Sequence, residues 1–189
     1  MVKNVMIEHG APTLAGIKTG NIFTVRNDDG DINREIRTLN EVLTKKGLRM
    51  IPIRKKNNNT LVYIYRPDRL KEDLKLPEAM EILENKGYPC GDVNSCIVYL
   101  IKRLMSENDF PHEIGLFLGY PPSDVKGFME NPSEGVKCSG CWKAYSNECE
   151  ARRLFEAYKM CAQVYQKQFI NGKPLESLVV DTRRFQVAI

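Results

Sequence analysis

The chain has 189 residues, of which 42% are hydrophobic and 28% are charged. This is the composition of a globular protein, and it excludes disordered, collagen-like and mucin-like chains. Lys and Arg total 28 against 24 Asp and Glu, a formal net charge of +4, and the basic residues form no tract, so nucleic-acid binding has no support.

The length suffices to bury a core without disulfides or metals, and we expect a single α+β domain over residues 1–189. No apolar run approaches the length of a membrane span, and the N-terminus lacks the pattern of a signal peptide. We therefore expect a cytoplasmic protein with no membrane contact.

The first half of the chain predicts helices around a hairpin. Residues 27–31 carry a turn and cap signal, and residues 32–47 place apolar side chains three and four apart, which indicates an amphipathic helix closed by glycine. Residues 48–66 place two β-forming runs around the polar KKNNN stretch and predict a β-hairpin. Two or three short helices are expected to follow: at about residues 68–75, from Pro77 to Asn85, and capped around Asp92 or Asn94.

The second half predicts strands between helices. Residues 113–120, EIGLFLGY, form a nearly continuous apolar run, which predicts a strand inside a sheet. A helix is expected over residues 121–131, a further strand over 137–145 and a long helix from Glu148. The tail PLESLVV is expected to add a strand or to pack at an edge. The sum is an α+β fold with N-terminal helices, a small, mainly antiparallel sheet and a long covering C-terminal helix.

The chain has two histidines, His9 and His112, so any imidazole chemistry depends on one of them. The pattern from Ala11 to Phe23 predicts a helix that begins just after Gly10. Free N–H groups there would favour a nucleophile and supply an oxyanion hole, although glycine offers no side chain and a flexible cap is the alternative. His112 is expected to open the strand 113–120 with its ring facing a cleft, or to be an ordinary surface histidine.

Three further residues are candidates for catalytic roles. Asp124 and Asn147 are the polar groups that could orient His112, and each could equally be a helix N-cap. Cys96 is expected in the first turn of a helix, where a thiolate is favoured, or as a small packing residue.

The remaining cysteines raise the question of a metal site. Cys138 and Cys141 form one Cys-x-x-Cys pair, and Cys149 follows. A second pair, which would strengthen the signal, does not occur. A cysteine-cluster metal-binding or regulatory protein is therefore the alternative to an enzyme, and buried or half-exposed thiols are the simpler interpretation.

Three blocks, IEHGAPTLAGIKTGNIF, FPHEIGLFLGYPPSDVKGF and GCWKAYSNECEA, resemble an uncharacterised family of clostridial proteins, a domain of unknown function, over about residues 5–180. In that family the position of Gly10 is commonly a cysteine. A cysteine at a helix N-terminus followed by a histidine that opens a strand is the chain order of papain-like cysteine enzymes. The family is also similar to the amide synthetase of closthioamide (polythioamide) biosynthesis, which joins an acyl thioester to an amine without ATP.

The resemblance implies a papain-like fold and thiol-dependent acyl transfer or amide formation. Position 10 would be the nucleophile, His112 would shuttle the proton, and Asn147 or Asp124 would hold its ring. Substrate contacts are implied at His9, Ala11 and Trp142. The implied partners are an acyl thioester, free or on a carrier protein, and a small amine acceptor, with no metal and no cofactor.

Gly10 leaves three interpretations open. The nucleophile has been removed to trap a substrate complex, the chain is a natural protein that binds without catalysis, or the catalytic assignment is wrong. The apolar tail and the exposed hairpin edge make a homodimer a further expectation.

Overall fold

A computed structural model describes residues 1–27, 30–106 and 110–185, without the side chains of the last two residues. It contains helices, a small antiparallel sheet and a long helix near the C-terminus, which confirms the predicted α+β class. The described residues form two compact units, one from Met1–Asp68 with Tyr158–Ile189 and the other from Arg69–Ala157. We call them unit 1 and unit 2. The single domain over residues 1–189 stays a prediction.

A three-stranded antiparallel sheet lies at the centre of unit 1. Its strands are β1 (Gly20–Arg26), β2 (Arg49–Lys56) and β3 (Asn59–Tyr65), in the order β1-β3-β2. Asn57 and Asn58 join β2 to β3 with φ of 47° and 59°. Two residues of positive φ form the turn whose twist matches that of paired strands, so the predicted hairpin is confirmed.

The amphipathic helix predicted over residues 32–47 is also confirmed. Helix α2 (Ile32–Leu43) begins after Asp31, whose Oδ1 accepts the N–H of Arg34 at 3.1 Å. A short 3-10 turn follows, and Gly47 ends it with φ of 75°. The turn and cap expected over residues 27–31 lies partly outside the described residues.

The first helix does not begin after Gly10. Helix α1 spans Val2–Leu14, so Gly10 lies in its third turn and Pro12 lies inside it. Apolar residues recur at helical spacing from Val2 to Leu14 and are buried in the core of unit 1, and this burial outweighs the missing N–H of a proline in the helix interior. The latter part of the predicted helix, up to Phe23, belongs instead to strand β1.

A buried arginine connects the C-terminal end of α1 with the tail of the chain. Arg66 is 2% exposed, and its guanidinium donates to the carbonyls of Thr13, Leu14 and Val180 at 2.8 Å and to the hydroxyl of Thr182 at 3.0 Å. A cation is favourable at this end of a helix, where carbonyls lack partners within the helix. The tail itself forms a short helix, Leu175–Leu178, so the predicted strand is wrong, and its two leucines are buried in the core of unit 1.

Unit 2 is built mainly from helices. In chain order its elements are α3 (Pro67–Leu74, whose first two residues belong to unit 1), α4 (Pro77–Asn85), α5 (Val93–Met105), α6 (Ile114–Phe117), α7 (Pro122–Glu130), β4 (Cys138–Ser139), β5 (Lys143–Ala144) and the start of α8 (Glu148–Ile170). Asp92 caps α5, because its Oδ2 accepts the N–H and the hydroxyl of Ser95 at 2.8 Å. The helices predicted near these positions are confirmed, and the strand predicted over residues 137–145 is reduced to the paired β4 and β5.

The strand predicted over residues 113–120 is wrong. The segment folds into the short helix α6 and ends at Gly119, which has φ of 78°. Residues 113–118 are all buried. A fully buried segment is apolar along its whole length both as a strand and as a helix, so the apolar run does not distinguish the two. In the described part of the chain, no helix is both long enough and apolar enough to cross a bilayer.

Candidate functional site

Unit 2 contains a mostly apolar cavity of about 200 Å³. Helices α6 and α7 and the β4–β5 segment supply its walls. The lining residues are His112, Ile114, Gly115, Tyr120, Asp124, Val125, Phe128, Trp142 and Lys143. An apolar cavity with a few polar groups is the usual form of a small-molecule site.

Aromatic rings form much of the wall. The ring of Phe128 meets the imidazole of His112 edge to face, with centroids 5.0 Å apart. Tyr120 stacks on Trp142 with ring centroids 4.9 Å apart, and Phe155 meets the indole edge to face with centroids 4.5 Å apart. These contacts hold Trp142, which is 9% exposed, in one orientation at the cavity surface.

Asp124 organises the wall from the first turn of α7. Its Oδ2 accepts the indole N–H of Trp142 at 2.8 Å. Its Oδ1 accepts the N–H of Tyr145 and the N–H and hydroxyl of Ser146 at 2.7–2.9 Å. Burial alone would raise the pKa of Asp124, but these hydrogen bonds together lower it below its ordinary value. The carboxylate is therefore charged at neutral pH, and both of its oxygens are in use.

Gly115 lets α6 approach α7 closely at the cavity. A Cβ at this position would lie 2.8 Å from Val125 Cγ2 and 3.1 Å from Tyr120 Cδ2. Since side chains in folded proteins do not approach that closely, the absence of a Cβ sets the spacing between the two helices.

His112 lies in a turn just before α6, and its side chain is exposed. Glu113, the next residue, anchors the turn and is 1% exposed. Its carboxylate lies 2.7 Å from Arg103 Nε and accepts a hydrogen bond from the hydroxyl of Tyr88 at 2.9 Å. Burial, followed by the charge of Glu113, raises the pKa of Tyr88, so its hydroxyl stays protonated as a donor. The buried carboxylate of Glu113, paired with the half-buried Arg103, thus anchors the turn that places the exposed imidazole of His112 at the cavity.

The predicted orienting partners of His112 are placed differently from expectation. Asp124 bonds to Trp142 and to the turn that follows β5, and among the described residues the structure gives no hydrogen bond from it to His112. Asn147 caps α8, because its Oδ1 accepts the N–H of Glu150 at 3.1 Å. The N-cap alternative is thus the observed one for Asn147. The rings that contact His112 are those of Phe110 and Phe128.

A sequence profile described as a protein of unknown function, DUF3793, matches residues 6–179. The chain belongs to this family. No curated protein and no solved structure matches the chain. The uncharacterised family that the sequence resembles is thereby confirmed, and the cavity at His112 is a feature of a DUF3793 chain.

In this DUF3793 chain, the residues around position 10 lie on α1 of unit 1. Gly10 is buried, and a Cβ there would meet Ile64 Cγ2 at 3.5 Å and Met6 Cγ at 3.7 Å, which are ordinary contacts. The N–H groups without helical partners belong to the start of α1 at Val2, so the oxyanion hole expected at Gly10 loses its physical basis. His9 is exposed with its ring 6.4 Å from that of Phe23, whereas Ala11 is fully buried.

The cysteines of this DUF3793 chain do not form a metal centre within the described residues, where no three His, Cys, Asp or Glu side chains are placed to hold an ion. Cys138 is buried in β4, while Cys141 and Cys149 are exposed. Cys96 lies in the first turn of α5 and is 4% exposed. Burial raises its pKa to about 11, so the expected activated thiolate is wrong and the packing role fits.

The sequence singled out His112, Asp124 and Trp142 but missed other residues that line the cavity. Phe128 lies four residues after Asp124 on α7, a spacing that places both on one face of a helix. Lys143 lies beside Trp142 in the sequence and lines the same cavity. The helical spacing on α7 was the available signal for Phe128, whereas no spacing signal pointed to Lys143.

Proposed function

We propose that this chain binds the apolar part of an acyl substrate in the cavity at His112 and, because position 10 has no thiol, does not turn it over. The cavity is the observation that carries the proposal. Cavities of about 150 Å³ lined by apolar side chains accept a molecule the size of benzene, so about 200 Å³ suits a short acyl chain or a single ring. His112 supplies a polar group at the mouth.

A binding experiment tests this part of the proposal. We expect hexanamide, a neutral probe with an apolar chain, to bind with one-to-one stoichiometry in isothermal titration calorimetry. His112→Trp should abolish binding by filling the mouth, and because His112 is exposed the variant should fold. Phe110→Trp is the matched control, since Phe110 is 49% exposed, contacts His112 and does not line the cavity. Equal binding by all three proteins would refute a site at His112.

The catalytic part of the proposal is papain-like acyl transfer from a thioester to an amine. Its support is the order of position 10 and His112 in the family blocks. A thiolate at position 10 would attack the acyl carbonyl carbon, and the donor thiolate would leave with a proton delivered by His112. An amine would then attack the acyl-enzyme, releasing the amide and regenerating the thiol.

Restoring the thiol tests this chemistry. In Gly10→Cys we expect iodoacetamide to modify the new thiol faster than the six native cysteines, as followed by peptide mass spectrometry, and we expect His112→Ala to slow that reaction. A Cβ at position 10 would meet Ile64 and Met6 at ordinary contact distances, and far-UV circular dichroism checks that the variant folds. A thiol that reacts no faster than the native cysteines would refute the catalytic part and leave the binding part standing.

A further inference from the structure

One cationic side chain lies at the rim of the apolar cavity. Lys143 is exposed, and its Nζ donates to the carbonyl of Pro132 at 2.8 Å and lies 5.7 Å from the centre of the Phe128 ring. The hydrogen bond and the cation–π contact restrict a side chain that would otherwise be free to move. An ammonium group is therefore kept beside the aromatic wall, and it has further N–H donors to offer.

The other polar groups of the cavity do not compete for that ammonium. Asp124 is 2% exposed, and both of its carboxylate oxygens accept hydrogen bonds from the protein. His112 can offer a ring N–H. The rim thus offers the Lys143 ammonium and a ring N–H beside apolar walls, and the negative charge of Asp124 is directed at its own four hydrogen-bond donors.

We infer that the ligand of this cavity is a small carboxylic acid, whose apolar body lies against Trp142 and Phe128 and whose carboxylate meets Lys143. The inference rests on the proposed binding function, not on the thioester chemistry proposed for position 10, and specifies the chemical class of the ligand bound in the cavity. One ammonium and one imidazole suit the single charge of a carboxylate, whereas a phosphate dianion is usually bound by several donors or by arginine.

The experiment compares hexanoate with hexanamide, which have the same chain and differ in the charge of the head group. Trp142 is the chain's single tryptophan and lines the cavity, so its fluorescence reports on binding there, with calorimetry as a second readout. We expect hexanoate to bind about 3–10-fold more tightly than hexanamide, as for an exposed charge pair. We also expect the difference to shrink in high salt, because salt screens exposed charges.

Two variants locate the charge. Lys143→Met should remove the preference for hexanoate, so that the ratio of the two affinities falls to about one. Lys126→Met is the matched control, since Lys126 is an exposed lysine on α7 that pairs with Glu81 at 3.6 Å and does not line the cavity.

The outcomes separate the two proposals. Equal affinities for hexanoate and hexanamide, a preference that survives Lys143→Met, or tighter binding of hexyl phosphate would overturn the carboxylate inference while the binding site stands. Failure of both hexanoate and hexanamide to bind would overturn the binding function and the inference together.

Discussion

Replacing Asp124 with alanine should strongly destabilise unit 2. The carboxylate accepts four hydrogen bonds of 2.7–2.9 Å from Trp142, Tyr145 and Ser146. The truncation would leave the buried indole N–H without an acceptor, which costs about 1–3 kcal/mol. It would also remove three part-buried hydrogen bonds worth about 0.5–1 kcal/mol each, since water can replace the carboxylate at those donors. The expected loss in the free energy of unfolding is about 2.5–6 kcal/mol.

Equilibrium unfolding in urea, followed by far-UV circular dichroism, measures this loss. Ser123→Ala is the matched control, because Ser123 is the exposed neighbour on α7 and should change stability by less than about 0.5 kcal/mol. If Asp124→Ala does not fold, Trp142→Phe removes only the indole donor and is expected to cost about 1–3 kcal/mol. A loss below about 1 kcal/mol for Asp124→Ala would refute the view that this carboxylate organises the cavity wall.

Three further predictions follow from single contacts. Folding lowers the pKa of Asp124 from an unfolded value near 3.9. The contribution of Asp124 to the free energy of unfolding should therefore be present above about pH 4 and be lost as pH falls through the folded pKa. Asp124→Asn should remove this pH dependence when the free energy of unfolding is measured against pH. Arg66→Met, which leaves the α1 carbonyls without their donor, should cost about 3–5 kcal/mol, and unchanged hydrogen exchange in the last turn of α1 would contradict it. Gly115→Ala, whose Cβ would lie 2.8 Å from Val125 Cγ2, should cost about 1–3 kcal/mol in a thermal unfolding assay, whereas Gly30→Ala, with nothing within 4 Å, should not.

Local signals predicted the elements that carry their own caps and periodicity. The helix α2 lies between the Asp31 cap and Gly47, and the β2–β3 hairpin has its Asn-Asn turn, so both were confirmed. The segment 113–120 was mistaken for a strand because full burial removes the polar face that distinguishes a helix from a strand. The start of helix α1 was predicted wrongly because proline is common in the first turn of helices. Here Pro12 lies inside the helix instead.

The candidate site was predictable in its residues but not in their contacts. His112 and Trp142 were chosen from the sequence, and both line the cavity. The partner of Asp124, however, is the indole of Trp142 and not the imidazole of His112. The two are eighteen residues apart, and periodicity carries no information about a side-chain contact between an α7 residue and the β4–β5 segment.

The two units differ in how their chain segments are arranged along the sequence. Unit 2 is one continuous stretch, whereas unit 1 combines residues 1–68 with the last part of the chain, and Arg66 finds its acceptor at Val180 only in that last part. On a ribosome the N-terminal segment therefore emerges long before its final hydrogen-bond partners exist, while residues 69–157 emerge complete. Compact regions fold as units during translation. We therefore expect residues 69–157 to reach their native structure first, and residues 1–68 to complete theirs only after the last part of the chain has been synthesised.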